Sequence, residues 1–133
     1  MSASFSFDVD PRLDLVRIKM SGFFTPEDIK TFVAERRKAH AKLGCGPNEH
    51  LTLNDLRGMK IQPRESVDMF HEMLAAPEFR SRRLAFVVAP TLAQGQLLRA
   101  LAGRHARFFE DPVIAEAWLI GGDREIEPRR AFG

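Results

Sequence analysis

The sequence is short of the groups that most often carry chemistry or anchorage. Its 133 residues include one cysteine, Cys45. A single thiol excludes an internal disulfide, and no Cys-x-x-Cys or His-x-x-x-His spacing offers a zinc site. No apolar run reaches the roughly 18 residues that a membrane helix needs, and no charged-then-apolar segment opens the chain as a secretory signal would. A reducing, cytoplasmic setting is therefore expected. No Gly-x-Gly-x-x-Gly or Gly-x-x-x-x-Gly-Lys-Ser/Thr loop is present to cradle a phosphate. No His-Glu-x-x-His or Ser-His-Asp order assigns a catalytic group. An excess of one charge is also missing. The 20 Lys and Arg residues face 18 Asp and Glu residues, mixed along the chain, without the basic stripe and interleaved aromatics of a nucleic-acid binder. The clusters Arg80-Arg82-Arg83 and Arg129-Arg130 read as solvated faces. The expectation is no catalytic residue, no cofactor, no metal, no nucleic-acid partner and no integral membrane segment.

What is there is enough for one domain with a proper core. Phe5 to Val9 and Leu15 to Met20 alternate apolar and polar residues on either side of the turn Asp10-Pro11-Arg12, the pattern of a β-hairpin. Thr25-Pro26-Glu27-Asp28 starts a helix: Thr25 can cap, Pro26 takes the first helical position, and Asp28 completes a capping box. Ile29, Phe32, Val33 and Leu43 fall on one face, and Gly44 to Pro47 stops the helix. Leu51-Thr52-Leu53 is a short strand leading to Asn54, Asp55 and a turn at Arg57-Gly58. A second helix runs from Pro63 to Ala75 with Val67, Phe70 and Leu74 on its core stripe. Leu84 to Ala89 is a continuous apolar run, as in a strand covered on both faces. Pro90 and Thr91 open a third helix ending near Gly103, His105 to Phe109 offer a last strand, and Asp111-Pro112 begin a fourth helix carrying Ile114, Ala117 and Trp118. These elements predict an α/β fold, a small mixed but mostly parallel sheet of four to five strands flanked by about four helices. Residues 1–121 form the domain and 122–133 a charged, flexible tail.

The order β-β-α-β-α-β-α-β-α, with "LTLNDLRG", "RRLAFVVAPTLAQGQLLRAL" and "ARFFEDPVIAEAWL", resembles the STAS-like domains, the group of SpoIIAA-like bacterial proteins and anti-sigma-factor antagonists. The resemblance implies a binding domain, not an enzyme. In the antagonists a strand ending in Asp-Leu-x-Gly leads to an Asp-Ser pair whose serine is phosphorylated. Asp55-Leu56-Arg57-Gly58 matches the first part, but Pro63 and Arg64 occupy the Asp-Ser positions. The usual phosphoacceptor is absent, and Ser66, two residues on, is either a plain helix-interior serine or a substitute phosphoacceptor.

Several residues carry a bland and a sharp reading. Arg36 and His40 fall near the middle of the first helix's apolar face. They either snorkel at the core edge or line a pocket, with His40 titrating near neutral pH and meeting an anion. Asp55 either holds the following turn or contacts a ligand beyond the strand ends, and Thr91 either caps a helix or helps hold an anion. Met69 and Met73 lie off the stripe of the second helix; either a neighbouring helix or loop covers them or, with Met59, they form an adaptable interaction surface. The function expected is regulatory contact with an unknown protein partner, or a homodimer. The alternative is a small-ligand domain binding a lipid or anionic metabolite near the first helix through Arg36, His40, Asp55 and Thr91.

Overall fold

A computed structural model describes residues 2–60, 62–89 and 106–121. The hairpin forms as the alternation predicts. β1 (Ser4–Asp10) and β2 (Leu15–Gly22) pair antiparallel with Phe7 opposite Ile18. The intervening turn is closed by Leu13 N–H donating to the Asp10 carbonyl at 3.2 Å. β3 (Leu51–Met59), β4 (Arg83–Val87) and β5 (Arg107–Phe109) then add in parallel, giving a five-stranded sheet in the order β1-β2-β3-β4-β5. The expected mixed, mostly parallel sheet is thus present.

Helix α1 (Pro26–His40) starts on the predicted capping box: Thr25 Oγ1 accepts from Asp28 N–H at 3.1 Å and Asp28 Oδ2 from Thr25 N–H at 2.9 Å. Helix α2 spans Arg64–Ala75 and is followed by a 3₁₀ turn, Pro77–Phe79. A further helix, α3, covers residues 112–121, and its first turn is held by Val113 N–H donating to Asp111 Oδ1 at 2.8 Å. The helix expected from Pro90 to Gly103, Thr91 with it, lies outside the described residues, as does the tail.

Period-two alternation sorts the core onto two faces of the sheet. Val16, Ile18, Met20, Leu84 and Phe86 point to α1 and α2, where they meet Phe24, Ile29, Phe32, Phe70 and Leu74. The aromatic rings there pack edge to face, Phe5 on Phe32 at 5.1 Å and Phe24 on Phe70 at 5.5 Å between centroids, the arrangement aromatic quadrupoles favour. Leu15, Leu51, Leu53, Ala85 and Val87 point the other way and are covered by Ala115 and Leu119 of α3.

Three expectations are corrected. β3 does not turn at Arg57-Gly58 but continues to Met59. Gly58 lies in the ladder against Ser21, beside a register irregularity, and a Cβ there would come within 2.6 Å of the Ser21 Cβ. The glycine therefore serves close strand approach. On α2 the buried residues are Ser66, Phe70, Met73 and Leu74, with Val67 only half-buried. The helix is rotated so that its methionine flank also faces α1. On α3, Ala115 and Leu119 are buried while Ile114 and Ala117 are exposed. Arg17 of β2 grips Glu116 through Nε–Oε1 at 2.7 Å and Nη2–Oε2 at 3.0 Å, which fixes the helix rotation.

Candidate functional site

The end of α1 is where polar side chains gather. The same 3.6-residue spacing that buries Ile29 and Phe32 carries Arg36 inside, 1% exposed. It does not snorkel. Its guanidinium lies 4.8 Å from the centroid of the Phe79 ring, a cation–π distance, and Nη1 is 3.9 Å from the sulfur of Met73. Arg36 Nε donates to His40 Nε2 at 3.4 Å. The His40 ring packs edge-on to His50 at 4.5 Å and to Phe79 at 5.3 Å. His50, 1% exposed at the entry to β3, shares a 3.3 Å hydrogen bond with Ser81 Oγ, which in turn lies 2.6 Å from Thr52 Oγ1. A polar chain, Arg36–His40–His50–Ser81–Thr52, thus runs under the helix end.

The electrostatics of this chain keep both imidazoles neutral. Burial first, then the Arg36 charge, then His50, push His40 down to about 3; burial and the Arg36 charge push His50 down to about 4. Desolvation disfavours the charged form and a nearby cation adds to it. The expectation that His40 titrates near neutral pH is therefore corrected.

Two depressions flank this cluster and share Arg37, Glu78 and Phe79. One, of about 340 Å³, is lined by His40, His50, Leu43, Cys45, Gly46 and Pro47. The other, of about 350 Å³, is a groove between α1 and α2 lined by Ile29, Val33, Met69, Met73 and Ala76, with Lys30 and Glu72 on its rim. The bridge between Arg37 Nη2 and Glu78 Oε1, at 2.9 Å, marks the shared wall. Cys45 lies in the first depression with its thiol pushed up, by burial first and then by Asp14, so it is not activated as a nucleophile.

The remaining sequence candidates do not join this site. Asp55 sits further along β3, opposite Lys19 and Val87. It accepts Arg57 N–H at 3.1 Å and pairs with Arg57 Nη2 at 2.8 Å. Burial opposes ionisation, but the bonds from Arg57 outweigh it and hold the carboxyl below its ordinary range. Ser66 is fully buried, its hydroxyl donating to the Phe24 carbonyl at 2.5 Å, which leaves no path for phosphorylation of the folded chain. Met59 is buried in the core, and Met73, 7% exposed, contacts Arg36. Of the three methionines proposed as a surface, Met69 is the half-buried one on the groove wall, and Met73 contributes only its edge. His50 and Ser81 were not predicted. The usable signal was the short 41–50 connection, which must bring a histidine at a helix end next to a histidine at a strand start.

This arrangement of sheet and helices is a SpoIIAA-like, STAS-like fold. The chain is similar to the crystal structure of an uncharacterized protein of the DUF3478 family with a SpoIIAA-like fold from Shewanella loihica PV-4. The TM-score is 0.66 and the identity 20%, over 90% of this chain and 96% of that one. No family model and no curated protein matches the chain. Among the described residues no helix is long and apolar enough to cross a membrane, and no group of three or more His, Cys, Asp or Glu is placed to hold a metal ion.

Proposed function

We propose that this SpoIIAA-like domain is a regulatory binding module of the cytoplasm that works by contact with another protein chain and makes no bonds. The observation that carries this reading is the open α1–α2 groove, with half-buried Met69 and the edge of buried Met73 on its apolar wall and charges of both signs on its rim. Methionine adapts its shape to a partner. The basic rim residues, Lys30 and Arg37, come from α1, and the acidic ones, Glu72 and Glu78, from α2 and the 3₁₀ turn. Arg37 and Glu78 pair with each other on this rim, so the charge there is balanced within one chain and a second copy would meet the groove through its apolar wall. Among the described residues one nucleophile–base pair bears on the absence of chemistry. Ser81 lies within reach of His50, but that imidazole is held far too acidic to act as a base near neutral pH.

The test is Met69→Glu, which places a charge on the groove wall while leaving the aromatic core untouched. Sedimentation velocity over a concentration series should show self-association of the parent chain and a monomer for the variant, with thermal unfolding little changed. If the parent chain stays monomeric and the variant cross-links to the same proteins as the parent, the groove is not the working surface. A second reading, binding of a small anionic or lipid-like molecule near α1, is favoured by the separate depression beside His40 and His50.

A further inference from the structure

We propose that the α1–α2 groove takes helix α3 of a second copy, so that copies join head to tail. The proposal rests on the groove reading and names what fills it.

Helix α3 is built unlike α1 and α2. Ala115 and Leu119 are buried against the sheet. At 100° per residue, Val113, Ala117 and Ile120 fall on the opposite face, with Ile114 on its flank. All four are exposed, Val113 by 75% and Ile114 by 58%. Glu116 is the one charge in residues 112–121, and it is spent on Arg17. The outward faces of the other two helices carry Glu27, Lys30 and Lys38 on α1, and Glu65, Asp68 and Glu72 on α2. A helix that is apolar all round belongs in a buried setting, and an apolar patch rimmed by polar residues marks a contact surface.

Charge and shape select this helix as the occupant. At the groove rim Arg37 is held by Glu78 at 2.9 Å and Lys30 by Glu27 at 3.4 Å, so both cations already have acidic partners, while Glu72 stays in water at the edge. An uncharged helix face can enter without breaking either pair. A charged one would lose water against Ile29, Val33, Met69, Met73 and Ala76. An opening of about 350 Å³ takes a row of side chains from one helix edge, the helix-in-groove mode of recognition. Val113, Ala117 and Ile120, spaced i, i+4 and i+7, supply such a row, with a small residue at its centre that allows close approach.

Topology makes the contact intermolecular. The groove lies over the sheet face of Ile18 and Phe86, whereas α3 covers the face of Leu53 and Val87. A chain cannot place its own α3 in its own groove. The contact joins two different surfaces on opposite sides of the sheet, so it repeats from copy to copy.

Sedimentation velocity on the full chain tests this. The parent should grow beyond a dimer as concentration rises to about 0.5 mM, the weak association of a small contact. Met69→Glu blocks the groove and Ala117→Glu blocks the helix face, so each variant alone should be monomeric. Mixed in equal amounts, they should form a one-to-one dimer and nothing larger, because one groove and one α3 face remain intact while the other two surfaces both carry Glu. Unaltered Trp118 fluorescence checks that α3 stays seated in Ala117→Glu, and Val113→Glu replaces that variant if it does not. An Ala117→Glu chain that associates like the parent would overturn the α3 assignment and leave the groove reading standing, with another part of the second copy as occupant. Two monomeric variants whose mixture stays monomeric, or a parent that stops at a dimer, would overturn the head-to-tail contact. A parent chain monomeric at every concentration would overturn pairing at the groove as well.

Discussion

The two faces of the sheet are made from the same alternating strands, yet they are built to different rules. The face under α1 and α2 is aromatic, covered by two helices, and interrupted by polar groups: the Arg36–His40–His50 chain, Thr52, and Asn54, 3% exposed with an Oδ1 that meets no hydrogen-bond donor among the described residues. The face under α3 is aliphatic, covered among the described residues by one helix, and tied by an ion pair between half-buried partners. Among the described residues the first face has more apolar packing to lose and also carries the polar exceptions. An unpaired buried acceptor such as Asn54 Oδ1 costs about 1–3 kcal/mol, and such costs are tolerated where packing is deep or where the polar groups have work to do. Both depressions open on this side. The difference teaches that, among the described residues, the candidate site shares its face of the sheet with the aromatic core.

The largest expected effect tests that asymmetry directly. Phe32→Ala should cost about 3–5 kcal/mol in urea denaturation, and Leu119→Ala about 2 kcal/mol, because α3 can settle into the space it leaves. Equal costs would break the comparison.

Acid should separate the faces next. His40 and His50 are neutral in the folded chain, with pKa values pushed to about 3 and about 4, whereas in the unfolded chain they take up protons as pH falls below about 6.5. The unfolded state then binds more protons, so stability is fully present above pH 6.5 and declines steadily below it. After discounting for partial exposure of His40, the loss between pH 6.5 and 4 should be about 3 kcal/mol. His40→Phe should remove roughly half of that slope. A flat stability profile over this window for the parent chain would show that the imidazoles are not held as described.

The smallest effect lies on the other face. Bonds from Arg17 hold Glu116 below the ordinary carboxylate range, so its contribution is present above about pH 4.3 and lost only as pH falls through the lowered value. Glu116→Gln should cost about 1 kcal/mol at pH 7 and progressively less as pH falls below about 4.3. A cost that persists unchanged at pH 3 would mean that packing of the side chain, not its charge, holds α3.

Legibility followed range. The Thr25–Asp28 capping box, the β1–β2 hairpin and the apolar run of β4 were readable because each depends on residues a few positions apart. The resemblance carried by residues 51–58, 82–101 and 106–119 gave the fold. The rotation of α2 was not readable: Met69 and Met73 looked like a free flank because a helical wheel cannot show that α1 lies alongside. Ser66 looked available because nothing local announces that Phe24, 42 positions away, takes its hydroxyl. Arg36 was read as snorkelling at the core edge or lining a pocket, because full burial of a guanidinium is improbable until Phe79, Met73 and His40 are brought around it.

By itself the sequence settled what short-range stereochemistry and periodicity can settle: where helices begin, which strands alternate, and that no nucleotide loop or metal spacing is written into the chain. Only tertiary structure decided which polar residues are buried together. His40 and His50 lie ten positions apart with a loop between them, and Ser81 comes from another strand's approach. Their protonation depends on distance to Arg36 and on lost water, and both are properties of the packed molecule.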